Sequence, residues 1–407
     1  MASSATEKYY EYIVVGCGGI GSATLYWLST RKGVDVLGLE QFKLGHDNGG
    51  SQDYSRIIRM MYHDTKYTKL VKEAYKCWEE VEAESGLQIL YKTGGVQFAV
   101  KGTPGESGLE KYAAAAKAEH IAFERVSGQQ ITARFPGFAM GSDVVGLYEP
   151  TAGLVDAAVG NATHIQLAQA HGATVIDSCP VLKIDTLPSG EAKVFTTRGQ
   201  FRCRRVIITA GAWINNVLGT VGIHIPVSVT QEQVTYFATP NMKLYTKSQF
   251  PIFIYIGEKD VYGIPIHGNT GMKVGLDADG PTVSAETRSF TPDSKREQTC
   301  LDFVRRFMPK AEGPMLYSKT CLYTMTRDRH FVVDTLAREG RHQIVVCCGA
   351  GHAYKFASIL GKILSELAID GSTNYDISGF GLRRRAITDP TFKAQHHMAV
   401  EEQKSKL

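Results

Sequence analysis

The chain has 407 residues, of which 43% are hydrophobic and 21% are charged, and its formal net charge is +4 at pH 7. This length supplies the mass of two or three domains, and the composition is that of an ordinary globular protein. The small net charge gives no support for nucleic-acid binding. No apolar stretch reaches the ~18 residues of a membrane-spanning helix. The eight cysteines are scattered without a CxxC pair, so neither a zinc site nor a disulfide framework is indicated.

Residues 16–21 have the pattern GxGxxG between a predicted strand and a predicted helix. The apolar run Tyr12–Val15 predicts the buried strand, and residues 22–31 have helix character. In this arrangement the helix N-terminus and the turn hold a pyrophosphate. Glu40 ends the next predicted strand, 34–40, where a carboxylate accepts hydrogen bonds from a ribose diol. An acid there argues against NADP, so the dinucleotide is FAD or NAD.

The rest of the chain alternates between helix and strand patterns. A polar, glycine-rich loop is predicted over 41–54 and a turn over 103–108. Helices are predicted over 67–84, 109–120, 129–135, 152–171, 294–307 and 355–369. Strands are predicted over 91–100, 144–148, 205–210, 227–230, 233–238, 252–256, 261–265, 273–276 and 344–348, with antiparallel strands over 174–176, 181–186, 192–197 and 200–203. The continuous apolar runs at 205–210 and 344–348 belong with the first nucleotide strand. This layout favours an α/β fold in which a discontinuous nucleotide domain carries a β-rich insertion.

The last three residues of the sequence are Ser405-Lys406-Leu407, after the polar residues 401–404. This tripeptide is the address that the peroxisomal import receptor reads. The first eight residues contain no apolar segment of signal-peptide length. We therefore expect a peroxisomal protein that has the import receptor as a partner.

Four segments together resemble the flavin-dependent amine oxidases of the sarcosine oxidase and pipecolate oxidase family. They are residues 16–21 with Glu40, SRIIR at 55–59, CLYTMTRDRHF at 321–331 and GAGHAYKF at 349–356. The resemblance covers the chain from Tyr12 to about Ile377. It implies a D-amino-acid-oxidase-like two-domain flavoprotein. The Rossmann-type FAD-binding domain would comprise 1–90, 150–225 and 318–385, the inserted antiparallel β-sheet substrate domain 91–149 and 226–317, and the tail 386–407.

The resemblance also implies a covalent cofactor. In that family a cysteine that matches Cys321 carries FAD as a thioether, in keeping with the nucleophilicity of a thiolate. The residues alone would favour a buried structural cysteine. The FAD-binding residues that we expect are Gly16, Gly18, Gly19, Ile20, Gly21, Glu40, Ser51, Ser55, Arg56, Gly211, Trp213, Cys321, Met325, Gly351, His352 and Lys355.

The substrate site follows from the same resemblance. Arg59 and Lys355 would hold the substrate carboxylate, for which a guanidinium offers a bidentate grip. Lys273 would activate oxygen electrostatically beside the flavin. Arg56 would tune the flavin potential, and Tyr262 would line the substrate pocket. No metal site is expected.

Asp277 departs from the family pattern. Sarcosine oxidases have a histidine four residues after the lysine that Lys273 matches, whereas the related fructosyl amino acid oxidases, or amadoriases, have an acid there. A carboxylate at this position would bind a cationic or hydroxylated amine. Alternatively, Asp277 and Lys273 would pair with each other.

The sequence therefore predicts a monomeric FAD-dependent oxidase of a secondary amino acid such as sarcosine, L-pipecolate or another N-alkyl amino acid. A hydride would pass from the carbon of the C–N bond to flavin N5, the imine would hydrolyse, and oxygen would leave as hydrogen peroxide. The alternatives are an amadoriase, which Asp277 favours, an oxidase of a bulkier N-methyl amino acid, an NAD-dependent dehydrogenase, and a non-catalytic nucleotide-binding module. The expected partners are the amino acid, oxygen and the import receptor, with neither nucleic acid nor membrane.

Overall fold

The computed structural model describes residues 7–395. Its strands are β1 (Lys8–Val15), β2 (Val36–Leu39), β3 (Ser55–Ile58), β4 (Leu90–Lys92), β5 (Gly95–Val100), β6 (Glu124–Ser127), β7 (Val144–Glu149), β8 (Gly153–Asp156), β9 (Thr174–Ile176), β10 (Val181–Thr186), β11 (Ala192–Thr196), β12 (Gly199–Ile208), β13 (Val227–Ala238), β14 (Ile252–Tyr255), β15 (Val261–Ile264), β16 (Gly271–Leu276), β17 (Thr282–Val283), β18 (Met315–Thr326), β19 (Val332–Thr335) and β20 (Ile344–Cys348). Its helices are α1 (Gly19–Ser29), α2 (Thr65–Ser85), α3 (Pro104–Ala118), α4 (Gly128–Arg134), α5 (Ala157–Ala170), α6 (Ile214–Leu218), α7 (Ser294–Phe307), α8 (Ala357–Ile369) and α9 (Arg385–Thr388). Among these helices, none has the length and apolarity that crossing a membrane requires.

The first sheet contains the predicted nucleotide-binding strands. Its order is β10-β11-β12-β1-β2-β9, and β20 pairs with β12 and with β19. Strands β20, β12, β1, β2 and β9 run parallel to their neighbours in this row. Alternate residues of β1 enter two separate cores: Tyr12 and Val14 pack under α1, α2, α5 and α8, whereas Ile13 and Val15 pack with α6. A parallel sheet buried on both faces accounts for the continuous apolar runs in the sequence, and the predicted grouping of these strands is confirmed.

The second sheet has nine strands in the described part of the chain. Its order is β17-β13-β16-β15-β14-β5-β7-β6, and β18 pairs with β13 through eleven residues of each strand. In the described part of this sheet only the β14–β5 pair is parallel, and the other pairs are antiparallel. Helix α7 covers this sheet and packs Phe303 and Phe307 against Phe253 and Phe98, with ring centroids 5.6 and 5.4 Å apart. The predicted β-rich insertion is therefore present.

A small third sheet positions part of the cavity wall. Its order is β3-β8-β4, with antiparallel pairing throughout. Strand β3 also lies against β15 and against a short 3-10 helix at Tyr354–Phe356. Segments distant in the sequence are thus brought together around residues 55–59.

Several element predictions are wrong in an instructive way. Residues 153–156 form a strand, and the helix begins only at Ala157, because the Asp156 side chain caps it by accepting from Val159 N. Residues 103–108 do not form a turn, since Pro104 starts α3 at the first helical position, where proline is favoured. The predicted strand 91–100 divides at Gly94 into β4 and β5, which belong to different sheets.

Other strand predictions differ in extent. The pairs 200–203 with 205–210, and 227–230 with 233–238, are each one continuous strand, β12 and β13. Strand β9 at 174–176 is parallel to β2 rather than antiparallel. The long strand β18 was not predicted. The domain boundaries stay a prediction, and the one at residue 318 falls inside β18, which pairs with the second sheet.

Candidate active site

A cavity of about 910 Å³ begins at the glycine-rich turn and extends to residues 349–355. Segments that flank all three sheets line it, including residues 49–57 and 209–213. This volume lies at the upper end of the range of about 300–1,000 Å³ for cofactor and ligand sites. Within residues 7–395, no cluster of three or more His, Cys, Asp or Glu side chains is arranged to hold a metal ion.

The glycine-rich turn forms one end of this cavity. Gly16 has φ +92°, and a Cβ atom on it would lie 2.9 Å from Thr209 O. A Cβ atom on Gly21 would lie 1.7 Å from Gly16 O, so only glycine allows α1 to pack this close to the strand end. The amide of Gly19 donates to Ser51 Oγ at 2.8 Å. The turn and the first residues of α1 therefore stand in the cavity wall, as the GxGxxG pattern predicts.

Glu40 lies at the same end of the cavity, directly after β2. Its carboxylate accepts hydrogen bonds from Cys17 N at 2.9 Å and Phe42 N at 3.0 Å, and His46 Nε2 lies 3.4 Å away. Burial opposes ionisation of Glu40, but these donors outweigh it and lower its pKa. An ionised carboxylate keeps further lone pairs for a ribose diol.

Arg59 and Lys355 are two buried cations in the wall of this cavity, each 9% exposed. Arg59 Nε donates to Met61 O at 3.1 Å, and its guanidinium lies 4.5 Å from the centre of the Tyr62 ring. Lys355 Nζ donates to His352 O at 2.9 Å. Neither cation forms an ion pair with a carboxylate of residues 7–395. Burial, with the charge of Arg59, lowers the pKa of Lys355 well below its ordinary value.

Asp277 forms an ion pair with Arg329 in the cavity wall. Arg329 Nη2 donates to Asp277 Oδ1 at 2.8 Å. Burial opposes ionisation of Asp277, but the Arg329 charge outweighs it and lowers the pKa of the carboxyl. The predicted pairing of Asp277 with Lys273 is wrong. Residues four apart along an extended strand are separated by about 13 Å, too far for an ion pair.

Lys273 instead pairs with Asp53. Its Nζ lies 2.6 Å from Asp53 Oδ2 and donates to Ser55 O at 2.9 Å. Lys273 lines a separate small cavity of about 20 Å³ rather than the main one. Arg56 and Tyr262 line both cavities, so the two spaces share a wall.

Cys321 is half-buried on β18 and also lines the small cavity. Burial raises the pKa of its thiol, and the nearby charge of Arg56 opposes this rise. Arg56 is held in place because its guanidinium donates to the carbonyl oxygens of Ser55, Gly50 and Gln52. The predicted attachment cysteine is thus next to a fixed cation.

Most of the predicted site residues lie in one place. Those in the wall of the main cavity are Gly16, Gly18, Gly19, Ile20, Glu40, Ser51, Ser55, Arg56, Arg59, Gly211, Trp213, Tyr262, Asp277, Gly351, His352 and Lys355. The wall does not include Gly21, Lys273, Cys321 or Met325. Gly21 serves the packing of α1, and Met325 is buried on β18 opposite Ser228.

Three residues of the site were not predicted. Asp53 lies in the polar loop, where no pattern distinguishes it. Arg329 lies between Asp328 and His330 in the 321–331 segment, and only the fold brings it to Asp277. Tyr112 comes from α3, and its ring centre lies 5.9 Å from the Arg59 guanidinium.

The residues of the main cavity fit FAD. The glycine turn and Glu40 are placed for a pyrophosphate and a ribose. Two buried atoms of wall residues, Gln52 Oε1 and His352 Nδ1, have no hydrogen-bond partner in the described part of the chain. Because buried polar atoms are almost always hydrogen-bonded, such atoms at a cavity indicate a polar ligand.

Known proteins resemble this chain in sequence and in fold. Residues 11–367 match the protein-family model described as FAD dependent oxidoreductase. Monomeric sarcosine oxidase of Streptomyces avermitilis is 33% identical over 387 residues, which are 93% of this chain and 98% of that protein. Peroxisomal sarcosine oxidase of Mus musculus is 32% identical over 390 residues, 94% of this chain and 97% of that protein. The open form of NikD, an unusual amino acid oxidase essential for nikkomycin biosynthesis, has the same fold, with a TM-score of 0.82 and 24% identity over 92% of this chain and 97% of that one.

Proposed function

The chain belongs to the FAD-dependent oxidoreductase family, and we propose that it oxidises the C–N bond of a secondary amino acid: sarcosine, L-pipecolate or another N-alkyl amino acid. The observation that carries this proposal is the pair of buried cations Arg59 and Lys355, which face the cavity without a carboxylate partner in residues 7–395. A buried charge is costly unless it is paired. A substrate carboxylate would supply the missing partner for both side chains.

The two cations would act together on the substrate. The Arg59 guanidinium would hold the carboxylate by charge-assisted hydrogen bonds, and Lys355 would add a second donor. Because burial and the Arg59 charge lower the pKa of Lys355, an arriving carboxylate would also favour its protonated form. The aromatic rings of Tyr62 and Tyr112 flank Arg59 and keep water away from the ion pair.

The cofactor site would orient the reaction. FAD, when bound, supplies the redox chemistry: it accepts the hydride and passes the electrons to oxygen. Gly18, Gly19 and Ile20 would hold its pyrophosphate, and Glu40 its ribose. Cys321 would attach it covalently as a thioether, which the position of the thiol beside Arg56 supports.

The amadoriase alternative loses support from the Asp277–Arg329 pair. A carboxylate that is already neutralised at 2.8 Å is poorly suited to bind a further cationic group. Family membership favours FAD over NAD as the dinucleotide. A non-catalytic nucleotide-binding module would have no use for two buried cations in the cavity. An oxidase of a bulkier N-methyl amino acid remains the second candidate, because the cavity of about 910 Å³ is large.

A peroxide-release assay on the purified protein tests the proposal. The substrates are sarcosine, L-pipecolate, L-proline, an N-methylated aromatic amino acid and fructosyl-glycine, with glycine as the primary-amine control. We expect peroxide with at least one of the secondary amino acids that lack the sugar. Peroxide with fructosyl-glycine alone would establish the amadoriase alternative, and no peroxide with any of these substrates would refute the proposed substrate class.

We also propose a peroxisomal location. The mouse relative is named a peroxisomal sarcosine oxidase, and a compartment that degrades peroxide suits a peroxide producer. The predicted address, Ser405-Lys406-Leu407, lies outside the described residues. A fluorescent protein fused to the N-terminus should co-localise with peroxisomes, and a version that lacks residues 405–407 should not.

A further inference from the structure

Asp53 is the buried carboxylate that accompanies Lys273. The two side chains are 5% and 3% exposed, and their Oδ2 and Nζ atoms are 2.6 Å apart. The Tyr236 hydroxyl lies 2.7 and 2.8 Å from the two carboxylate oxygens of Asp53, and Arg56 Nη1 lies 3.9 Å from Oδ2. The carboxylate is thus enclosed by a phenol and two cations.

The backbone of Asp53 is in an unfavourable conformation. Its φ is +88°, in the left-handed region where glycine is free of strain and a side chain is not. Such strain persists where the surrounding structure fixes it, and it concentrates at functional sites. Position 53 therefore has a carboxylate despite the strained backbone, and this carboxylate forms an ion pair with Lys273.

The surroundings explain why Lys273 needs this partner. The groups that face it from the loop, β3, β13, β15 and β18 are Asp53, Arg56, Tyr236, Tyr262, Lys319 and Cys321. Tyr317 and Tyr323 lie next to these groups. Burial lowers the pKa of the Lys273 ammonium and the Arg56 charge adds to this, whereas Asp53 opposes the shift. Asp53 itself stays ionised, because Lys273 and Arg56 outweigh the effect of burial and bring its pKa to about 2.

Lys273 and Asp53 both border the small cavity of about 20 Å³. A space of this size holds one water molecule or one diatomic molecule. Cys321, the expected attachment point of FAD, borders the same space. A charge fixed in this wall would act on a small molecule beside the cofactor.

We propose that Asp53 is a positioning residue that keeps the Lys273 ammonium protonated and fixed at the small cavity. This inference rests on the proposed oxidase function. In the step that it serves, dioxygen takes two electrons from the reduced flavin and two protons, and it leaves as hydrogen peroxide. Asp53 takes no part in the bond changes, since its carboxylate remains ionised and its hydrogen-bond and ion-pair partners within residues 7–395 are Lys273, Tyr236 and Arg56. Its effect is to keep a positive charge where oxygen becomes negative.

Two variants separate the carboxylate from the backbone strain. Asp53→Asn removes the charge and keeps the size, whereas Asp53→Gly removes the charge and relieves the φ of +88°. Tyr236→Phe is the matched control, because it removes one hydrogen bond to Asp53 and leaves the ion pair intact. Each protein is reduced anaerobically with dithionite and mixed with oxygen between pH 6 and pH 9.5.

The expected signature is a shift in the pH profile of the reoxidation rate constant. Without Asp53 the pKa of Lys273 falls, so the charged form is lost at a lower pH. We expect a pH range in which the rate constant of both Asp53 variants falls by about tenfold or more, while those of the parent protein and Tyr236→Phe stay constant. A fall of this size corresponds to a shift of one unit or more in the pKa of Lys273. Identical profiles for the parent protein and both variants would overturn the proposal.

A second readout does not use the flavin reaction. Thermal midpoints at pH 7 are compared for Asp53→Asn, Lys273→Met and the double variant. We expect each single variant to lower the midpoint by several degrees, because Asp53→Asn leaves the buried Lys273 without its carboxylate and Lys273→Met leaves the buried Asp53 with the more distant Arg56, at 3.9 Å. The double variant should recover at least half of the summed loss. Additive losses would overturn the pairing. Neither readout uses an amine substrate, so failure of the peroxide assay would reject the proposed substrate class and leave this test intact.

Discussion

The buried guanidinium of Arg59 lies 4.5 Å from the centre of the Tyr62 ring and 5.9 Å from the centre of the Tyr112 ring. Its described hydrogen bond goes to a backbone carbonyl, Met61 O. Glu149 is close enough to contribute to its electrostatic environment, but that carboxylate accepts from the amides of Met60 and Met61. The charge of Arg59 is therefore available to a ligand of the cavity.

Replacing either cation should weaken substrate binding. We expect Arg59→Met and Lys355→Met each to lower kcat/KM for the preferred amino acid by about 10- to 100-fold, since a charge-assisted hydrogen bond contributes about 1.5–3 kcal/mol. Most of the loss should be in KM. Arg125→Met is the control, because Arg125 forms an exposed pair with Glu110 at 2.6 Å. Unchanged kinetics in both cavity variants would contradict their role as carboxylate ligands.

Cys321 is the residue to which we propose that the flavin is attached. We expect acid-precipitated parent protein to stay yellow and its peptide containing residue 321 to carry the flavin mass. Cys321→Ser should bind FAD without a covalent bond, so acid should release the flavin. Cys300→Ser is the control, because that thiol is buried on α7, away from both cavities. A covalent flavin that survives in Cys321→Ser would place the attachment elsewhere.

At the scale of single residues, candidate site residues that belong to a short motif could be predicted from the sequence. The SRIIR segment marked Arg59 as a candidate site residue, and Arg59 lies in the wall of the main cavity. Partners distant in the sequence were not predictable: Asp277 meets Arg329, which is 52 residues away, and Lys273 meets Asp53, which is 220 residues away. Spacing along a strand carries no information about such partners.

Among the elements, the junction of β1 and α1 shows how glycine sets the distance between a strand and a helix. A Cβ atom on Gly21 would overlap the carbonyl oxygen of Gly16 at 1.7 Å, and the positions of both atoms are fixed by the backbone. Side-chain rotation cannot relieve this contact. The helix would have to move away from the strand, and the turn would lose its shape.

Gly21→Ala should therefore disturb both stability and cofactor binding. We expect a loss of about 2–3 kcal/mol or more in the free energy of unfolding, as for other overpacked sites, together with a lower flavin content of the purified protein. Gly219→Ala is the control, since nothing lies within 4 Å of a Cβ atom built there. The test consists of urea unfolding and the ratio of flavin to protein absorbance. Normal flavin content in Gly21→Ala would show that the turn tolerates the displacement.

Buried strands were predicted from the sequence more successfully than exposed ones. The apolar runs of β1, β12 and β20 are buried on both faces and were found from the sequence. Strand β18 was missed because its first residues, Met315, Leu316 and Tyr317, are all exposed despite their apolar character. The period of two that identifies a half-buried strand is therefore absent from that end.

At the scale of the whole molecule, the D-amino-acid-oxidase-like two-domain flavoprotein fold is confirmed by the family match and by the similarity to NikD. The cavity is built from segments near residues 16, 55, 210, 262 and 350. The sequence identified the nucleotide half through its glycine pattern. The arrangement of the second sheet, including the parallel β14–β5 pair, depends on long-range pairing that local patterns do not encode.

The ion pairs of the interior give the molecule a predictable response to acid. Asp53 has a pKa of about 2 in the folded chain and 3.8 ordinarily, so its stabilising contribution is complete above about pH 4 and is lost as the pH falls toward 2. We expect this group alone to contribute about 2 kcal/mol to the free energy of unfolding. The pKa values of Asp277 and Asp328 are also lowered, and these carboxyls add to the trend.

Urea unfolding between pH 6 and pH 3 measures this response. Stability should decrease with falling pH in the parent protein, and the decrease should be smaller in Asp53→Asn, which has no carboxylate to protonate. Glu110→Gln should follow the parent, because its exposed pair with Arg125 is screened by solvent. A parallel decrease in Asp53→Asn and the parent would mean that Asp53 is not the group responsible.

Strand β18 places Cys321, the proposed attachment cysteine, in a different sheet from the glycine-rich turn. The glycine turn belongs to the first sheet, whereas Cys321 is hydrogen-bonded into the second through β13. A flavin cofactor that is held by the glycine turn at one end and bonded to Cys321 at the other would connect the two sheets. Formation of the thioether should therefore raise the resistance of the segments between the two sheets to proteolysis, even in the absence of an amine substrate.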